Sequence, residues 1–201
     1  QSMNTEDVRV QGEPVSRLDL ALRSTVHAVD NLPCGTAIGY GIFAAHRALL
    51  LAEPVEVCQH RVEIKHALSF VSSRMAWHGN SEVAKGYYES LEIAAALKPK
   101  AVAVFLTDGH EAPPLNRNLR PRFDGEVGAV KAGVAGLGGG RPVPIPKSDP
   151  SGRSLGFWKA DEVLQIDRYS AKKISAGSSS YVIPEQVEGV DPRVAGLPGR
   201  E

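Results

Sequence analysis

Six consecutive apolar residues, Ala101–Val102–Ala103–Val104–Phe105–Leu106, lie between Lys100 and Thr107–Asp108–Gly109, and they constrain the fold more than any other stretch. The run is too short for a helix core and shows no polar alternation. A short continuous run of this kind belongs to a strand buried on both faces, the condition of a central strand in a parallel sheet. A helical pattern precedes it: Val83, Tyr87, Leu91 and Ala94 share one face, Ser81 stands at the capping position and Lys98–Pro99 closes the run. Val130 to Leu137, running into Gly138–Gly139–Gly140, reads as a second such strand diluted by glycine.

Upstream, Thr5 to Val15 is polar, contains Gly12 and Pro14, and reads as a loop. Ser16, with Asp19 three positions on, opens a helix carrying Leu18, Leu22, Val26 and Val29, which Asn31–Leu32–Pro33 ends. Ala37 to Ala44 and Ala48 to Ala52, separated by His46–Arg47, predict two adjacent strands despite Gly39 and Gly41. Ile64, Leu68, Val71 and Met75 predict a further helix, broken at Trp77–His78–Gly79–Asn80. Beyond Arg141 prolines alternate with small residues, Asp149–Pro150–Ser151–Gly152 marks a turn, and Leu155 to Trp158 returns as a strand. The order of elements predicts an α/β fold: a doubly wound, mostly parallel sheet with helices on both faces. The chain divides into a main domain over 1–140, a hairpin-like extension over 141–175 and a loose tail over 176–201.

The 201 residues carry 23 basic and 23 acidic side chains, a formal charge of +0, with no basic stripe to hold nucleic acid. Partners are therefore recognised by a specific site and not by bulk field. The longest apolar stretch, Ile42 to Ala52, is broken by His46 and Arg47 and falls short of the ~20 residues that cross a bilayer. The chain opens on Gln1, which leaves room for processing, for a fragment, or for a membrane anchor outside it. Cys34 and Cys58 are compatible with one disulfide or with two buried thiols.

Ligands of open α/β sheets sit beyond the carboxyl ends of the strands. The start of the chain, the Gly79–Asn80–Ser81 loop and Thr107–Asp108–Gly109 converge there and offer oxygen ligands, which suit Mg²⁺ or Ca²⁺. The segment AVAVFLTDG resembles the strand and acidic turn of von Willebrand factor A domains, a Rossmann-like family. That family builds a metal-ion-dependent adhesion site from Asp-x-Ser/Thr-x-Ser, a threonine on a second loop, and this aspartate. The resemblance implies Ser2, Ser81 and Asp108 as metal ligands, with Asn80 replacing the more usual glycine. Thr36, in Gly35–Thr36–Ala37–Ile38–Gly39, matches the loop-threonine wording more closely but precedes the hairpin, so Ser81 is preferred. The first motif's aspartate and first hydroxyl, with the family's first strand, would then lie before Gln1, and this chain would bind metal weakly or not at all.

LTDGHEAPPL and PIPKSDPSGRSLGFW resemble MxaL-type accessory proteins of periplasmic methanol dehydrogenase. That resemblance implies a non-catalytic role in maturation or calcium insertion, with the dehydrogenase or its accessory proteins as partner, in or facing the periplasm. Two other readings stay open. Asp108, His110 and Glu111 could surround a water as a metal-dependent hydrolase, although no His-Glu-x-x-His or Gly-x-Ser-x-Gly occurs. The chain could also be a metal-free scaffold, with Asp108 a turn residue and Ser81 an ordinary helix cap.

Overall fold

The computed structural model describes residues 1–76, 79–115, 120–149, 151–159 and 162. Its first strands, β1 (Val8–Val10) and β2 (Glu13–Val15), form a short antiparallel hairpin where a loop was expected. The two residues of its turn, Gln11 and Gly12, both take positive φ (53° and 90°), the conformation that matches the twist of paired strands. Nothing in the polar composition signals it, because Gln11 is not a usual residue for that turn.

Helix α1 (Arg17–Asn31) starts as the sequence predicts. The Ser16 hydroxyl accepts the Asp19 backbone N–H at 3.0 Å, and Leu32 leaves in extended conformation. Its inner face carries Val29, fully buried, into a core with Val57, Ile64 and Leu68, flanked by Leu22, Val26, Leu32, Ile38 and Tyr40. Strands β3 (Ala37–Ala44) and β4 (Arg47–Glu56) are the predicted antiparallel hairpin. At Gly39 and Gly41 the partner strand comes so close that a Cβ would lie 2.7 Å and 2.5 Å from the carbonyl oxygens of Ala52 and Leu49. The glycines that weakened the reading are thus what the irregular register between Ile38 and Gly41 demands. A disulfide joins Cys34, before β3, to Cys58, after β4.

Helix α2 (Arg61–Leu68) is shorter than predicted. The Ser69 hydroxyl donates to the His66 carbonyl at 2.6 Å and the chain turns, so Val71 and Met75 lie outside the helix, Met75 in a separate 3₁₀ turn. Helix α3 (Val83–Ala96) is present, but Ser81 does not cap it. The Ser81 backbone is instead paired on both sides, donating to and accepting from Ala112 at 2.8 Å each way, while Glu82 N–H donates to Ala45 at 2.7 Å. That pairing keeps the segment extended one residue longer than a capping serine would allow.

Strands β5 (Ala103–Thr107) and β6 (Ala132–Gly136) pair in parallel, Ala103 opposite Ala132 and Thr107 opposite Gly136. Phe105 is buried against Phe43 of β3 and Tyr87 of α3, ring centroids 5.0 and 5.5 Å away. The opposite face is exposed at Val102 and Val104, 66% and 69%, and half-buried at Leu106. Among the described residues β5 pairs with β6 alone, so it is not the central strand expected. Among the described residues the strands form four two-stranded ladders, the last being β7 (Pro146–Ser148) with β8 (Ser154–Phe157), with no ladder joining them into the doubly wound sheet expected. An apolar run specifies that a strand forms, but not how many neighbours it finds. Trp77–His78 and the tail over 176–201 lie outside the described residues.

Candidate acidic site at the end of strand β5

Asp108 follows the last residue of β5, and the chain turns sharply at Gly109, φ 73°. The turn is held locally: Gly109 N–H donates to the Thr107 hydroxyl at 3.1 Å and His110 N–H to Asp108 Oδ1 at 3.0 Å. The Asp108 side chain is 3% exposed. Its second oxygen, Oδ2, accepts from Nη1 of Arg17 at 3.0 Å.

Arg17, the first residue of α1, is the centre of the site. Its Nε and Nη2 grip Asp7 in a two-pronged contact of 3.0 and 2.7 Å while Nη1 holds Asp108. Asp7 Oδ2 also accepts the Gly139 N–H at 2.7 Å. One guanidinium thereby ties the segment before β1, the end of β5 and the glycine turn after β6. Arg17 holds the Asp7 carboxyl below the usual aspartate range, and the two acids in turn raise Arg17. Sequence reading missed Arg17 and Asp7. Their only local signal is an arginine just inside a capped helix, an ordinary surface pattern.

The chain's beginning reaches the same place. Ser2 is buried in the 3₁₀ turn Ser2–Asn4, and the Thr5 carbonyl accepts the backbone N–H of Arg17 at 3.0 Å. The Thr5 hydroxyl is buried without a hydrogen-bond partner among protein groups. Ser81 pairs with Ala112, four residues past Asp108 in the chain, and no hydrogen bond between Ser81 and Asp108 occurs among the described residues. Thr36, by contrast, precedes β3, at the opposite end of the hairpin from Ala45, and its carbonyl is taken by Val57 N–H at 2.8 Å.

His110 is buried, with its backbone N–H on Asp108. Glu111 turns away toward α3, where Oε2 accepts the Ala84 N–H at 3.2 Å. It caps from a distant segment the helix that Ser81 was expected to cap. Burial raises its carboxyl from 4.5 to about 7, against the lowering effect of the Ala84 and Val83 N–H groups.

These residues do not fit a tight Mg²⁺ or Ca²⁺ site. Asp108 Oδ2 is ion-paired with Arg17, and the single positive charge of Arg17 offsets half of the charge of the two carboxylates. Oxygen-bound divalent ions want several ligands and more carboxylate charge than remains. Among the described residues, three His, Cys, Asp or Glu ligand atoms come together elsewhere, at Cys34, Glu56 and Cys58.

No family model matches the chain, and no curated protein does. Among solved structures, it is similar to an aerotolerance-related membrane protein from Bacteroides fragilis carrying multiple mutations to serines. The two are 17% identical over 87% of this chain and 90% of that one, with a TM-score of 0.49.

Proposed function

We propose that the chain is a non-catalytic protein-binding module of the von Willebrand factor A type. The observation that supports this reading is a buried aspartate at the carboxyl end of a parallel strand, tied through Arg17 to the chain's first residues. Ser2, Ser81 and Asp108 would be the ligands of its adhesion-type site. Mg²⁺ or Ca²⁺ is held weakly or not at all by this chain, because Arg17 already answers the charge of Asp108. The partner is methanol dehydrogenase or one of its accessory proteins, as the LTDGHEAPPL and PIPKSDPSGRSLGFW segments imply. The compartment is the periplasm, a reading supported by the disulfide, since disulfides persist in oxidising surroundings. No described helix is long and apolar enough to cross a membrane.

A hydrolase reading draws on Glu111, whose carboxyl near 7 would suit a general base. Its engagement with the first turn of α3 opposes that role. Calorimetric titration with Mg²⁺ and with Ca²⁺ separates the two, run on the parent chain and on Asp108→Asn and His110→Ala. Heat too small to fit a site in all three is the expected outcome. Tight binding that depends on His110 would sink the module and restore the hydrolase. The partner is tested by surface-binding measurements against purified methanol dehydrogenase, loaded with and stripped of calcium. Saturable binding is expected, and its absence for both forms removes the dehydrogenase as partner.

A further inference from the structure

Away from the acidic site, the Cys34–Cys58 disulfide has an acid built into it. Ligand atoms of Cys34, Glu56 and Cys58 all lie within 4.8 Å of one another. Glu56 closes β4, and its carboxylate clasps both cysteine segments: Oε1 accepts the N–H of Gly35, next to Cys34, and Oε2 that of Gln59, next to Cys58, each at 2.6 Å. Those two N–H groups fix the orientation of the carboxylate between the two cysteines. The backbone adds two further ties. Glu56 is in register with Ala37, and Val57, wholly buried in the core, donates to the Thr36 carbonyl at 2.8 Å. The two cysteines are therefore held side by side by contacts that do not involve sulfur.

We propose that reduction of this disulfide exposes a thiolate–carboxylate site, Cys34, Cys58 and Glu56, for a borderline-soft divalent cation of the zinc class. A thiol reductant supplies the electrons: two reductant thiols become their own disulfide, the Cys34–Cys58 bond breaks, and each sulfur takes a proton. Binding of the cation then displaces both protons. Two thiolates select against Mg²⁺ and Ca²⁺ and for Zn²⁺ or Cd²⁺. Tetrahedral zinc bonds of ~2.3 Å to sulfur place the two sulfurs roughly 3.8 Å apart. Cα atoms 5.2 Å apart reach that spacing by side-chain rotation alone. Each Glu56 oxygen spends one lone pair on its N–H and keeps another for the metal, so the two amides become the supporting contacts that such ligands need. The fourth position faces solvent beside exposed Cys34 and takes water.

The test uses the whole chain, reduced by a phosphine under anaerobic conditions, freed of reductant and titrated with Cd²⁺. The ultraviolet charge-transfer band of cadmium thiolate reports binding, and Zn²⁺ serves as competitor. The expected result is one Cd²⁺ per reduced chain, displaced by Zn²⁺, and none for the oxidised chain. Glu56→Gln should weaken binding about tenfold or more, and Cys34→Ser should abolish it. Should Glu56→Gln fail to fold when reduced, Glu56→Asp, which keeps the charge but shortens the reach, must also bind more weakly. No stoichiometric binding, equal binding by the Glu56 variants, or loss of folded far-ultraviolet dichroism on reduction each overturns the proposal.

Discussion

At the scale of single residues, Arg17 and Glu111 carry the electrostatics of the candidate site. Arg17, Asp7 and Asp108 have side chains 11%, 4% and 3% exposed, so removing the cation strands two carboxylates away from water. Breaking a buried pair from one side costs about 3–5 kcal/mol, whereas replacing the whole cluster with neutral groups is far less harmful. Arg17→Met should therefore destabilise the chain by about 3–5 kcal/mol in urea unfolding. Arg17→Met combined with Asp7→Asn and Asp108→Asn should recover most of that loss, and a triple variant no better than the single one would contradict the cluster. Glu111 sets a pH dependence of the opposite kind. Its folded value, about 7, lies above the ordinary 4.5, so the fold favours the protonated acid. The stability it contributes is fully present below about 4.5 and is lost as pH rises through about 7. Unfolding free energies across that window should fall for the parent and stay flatter for Glu111→Gln; parallel curves would show that Glu111 is not the titrating group.

Among the elements, α3 is the one whose environment decides the most. It packs on β4 and β5, with Glu89 holding Ala48 N–H at 2.6 Å and Arg47 at 3.0 Å, and with Gly86 facing Phe43. A Cβ at Gly86 would stand 2.7 Å from the Phe43 ring, which also packs on Phe105 with ring centroids 5.0 Å apart. Alanine gains about 1 kcal/mol of helix propensity over glycine. Overpacking costs about 1–3 kcal/mol, and here the obstructing ring has little room to yield. Gly86→Ala should lower the midpoint of thermal unfolding, and Gly86→Ala with Phe43→Leu should restore it in part. A raised midpoint for the single substitution would mean that the helix stands farther from β3.

At the scale of the whole molecule, the Cys34–Cys58 link fastens the turn after α1 to the end of β4, across 24 positions. Closing a loop of that size removes conformational freedom worth about 3 kcal/mol from the unfolded chain. Cys34→Ser with Cys58→Ser should lose about that much in denaturant unfolding and remain folded, because Glu56 and Val57 still hold the two segments. Retention of parent stability would mean that the bond closes no loop the unfolded chain opens. The sequence by itself determined what is local. Ser16 and the Leu22–Val26–Val29 spacing specify α1, the apolar runs on either side of His46–Arg47 specify the hairpin, and the Ala101–Leu106 run specifies a strand with Asp108 just past its end that pairs in parallel with the next. These follow from caps and periodicities spanning a few residues. Only the tertiary structure decided that Cys34 and Cys58 pair, that Ser81 bridges Ala45 and Ala112, and that Glu111 caps α3. It likewise decided that Arg17 meets Asp108 across 91 positions of chain. The physical reason is that a charge or a hydroxyl carries no period: its partner is whichever group the packing of distant elements places within hydrogen-bond reach.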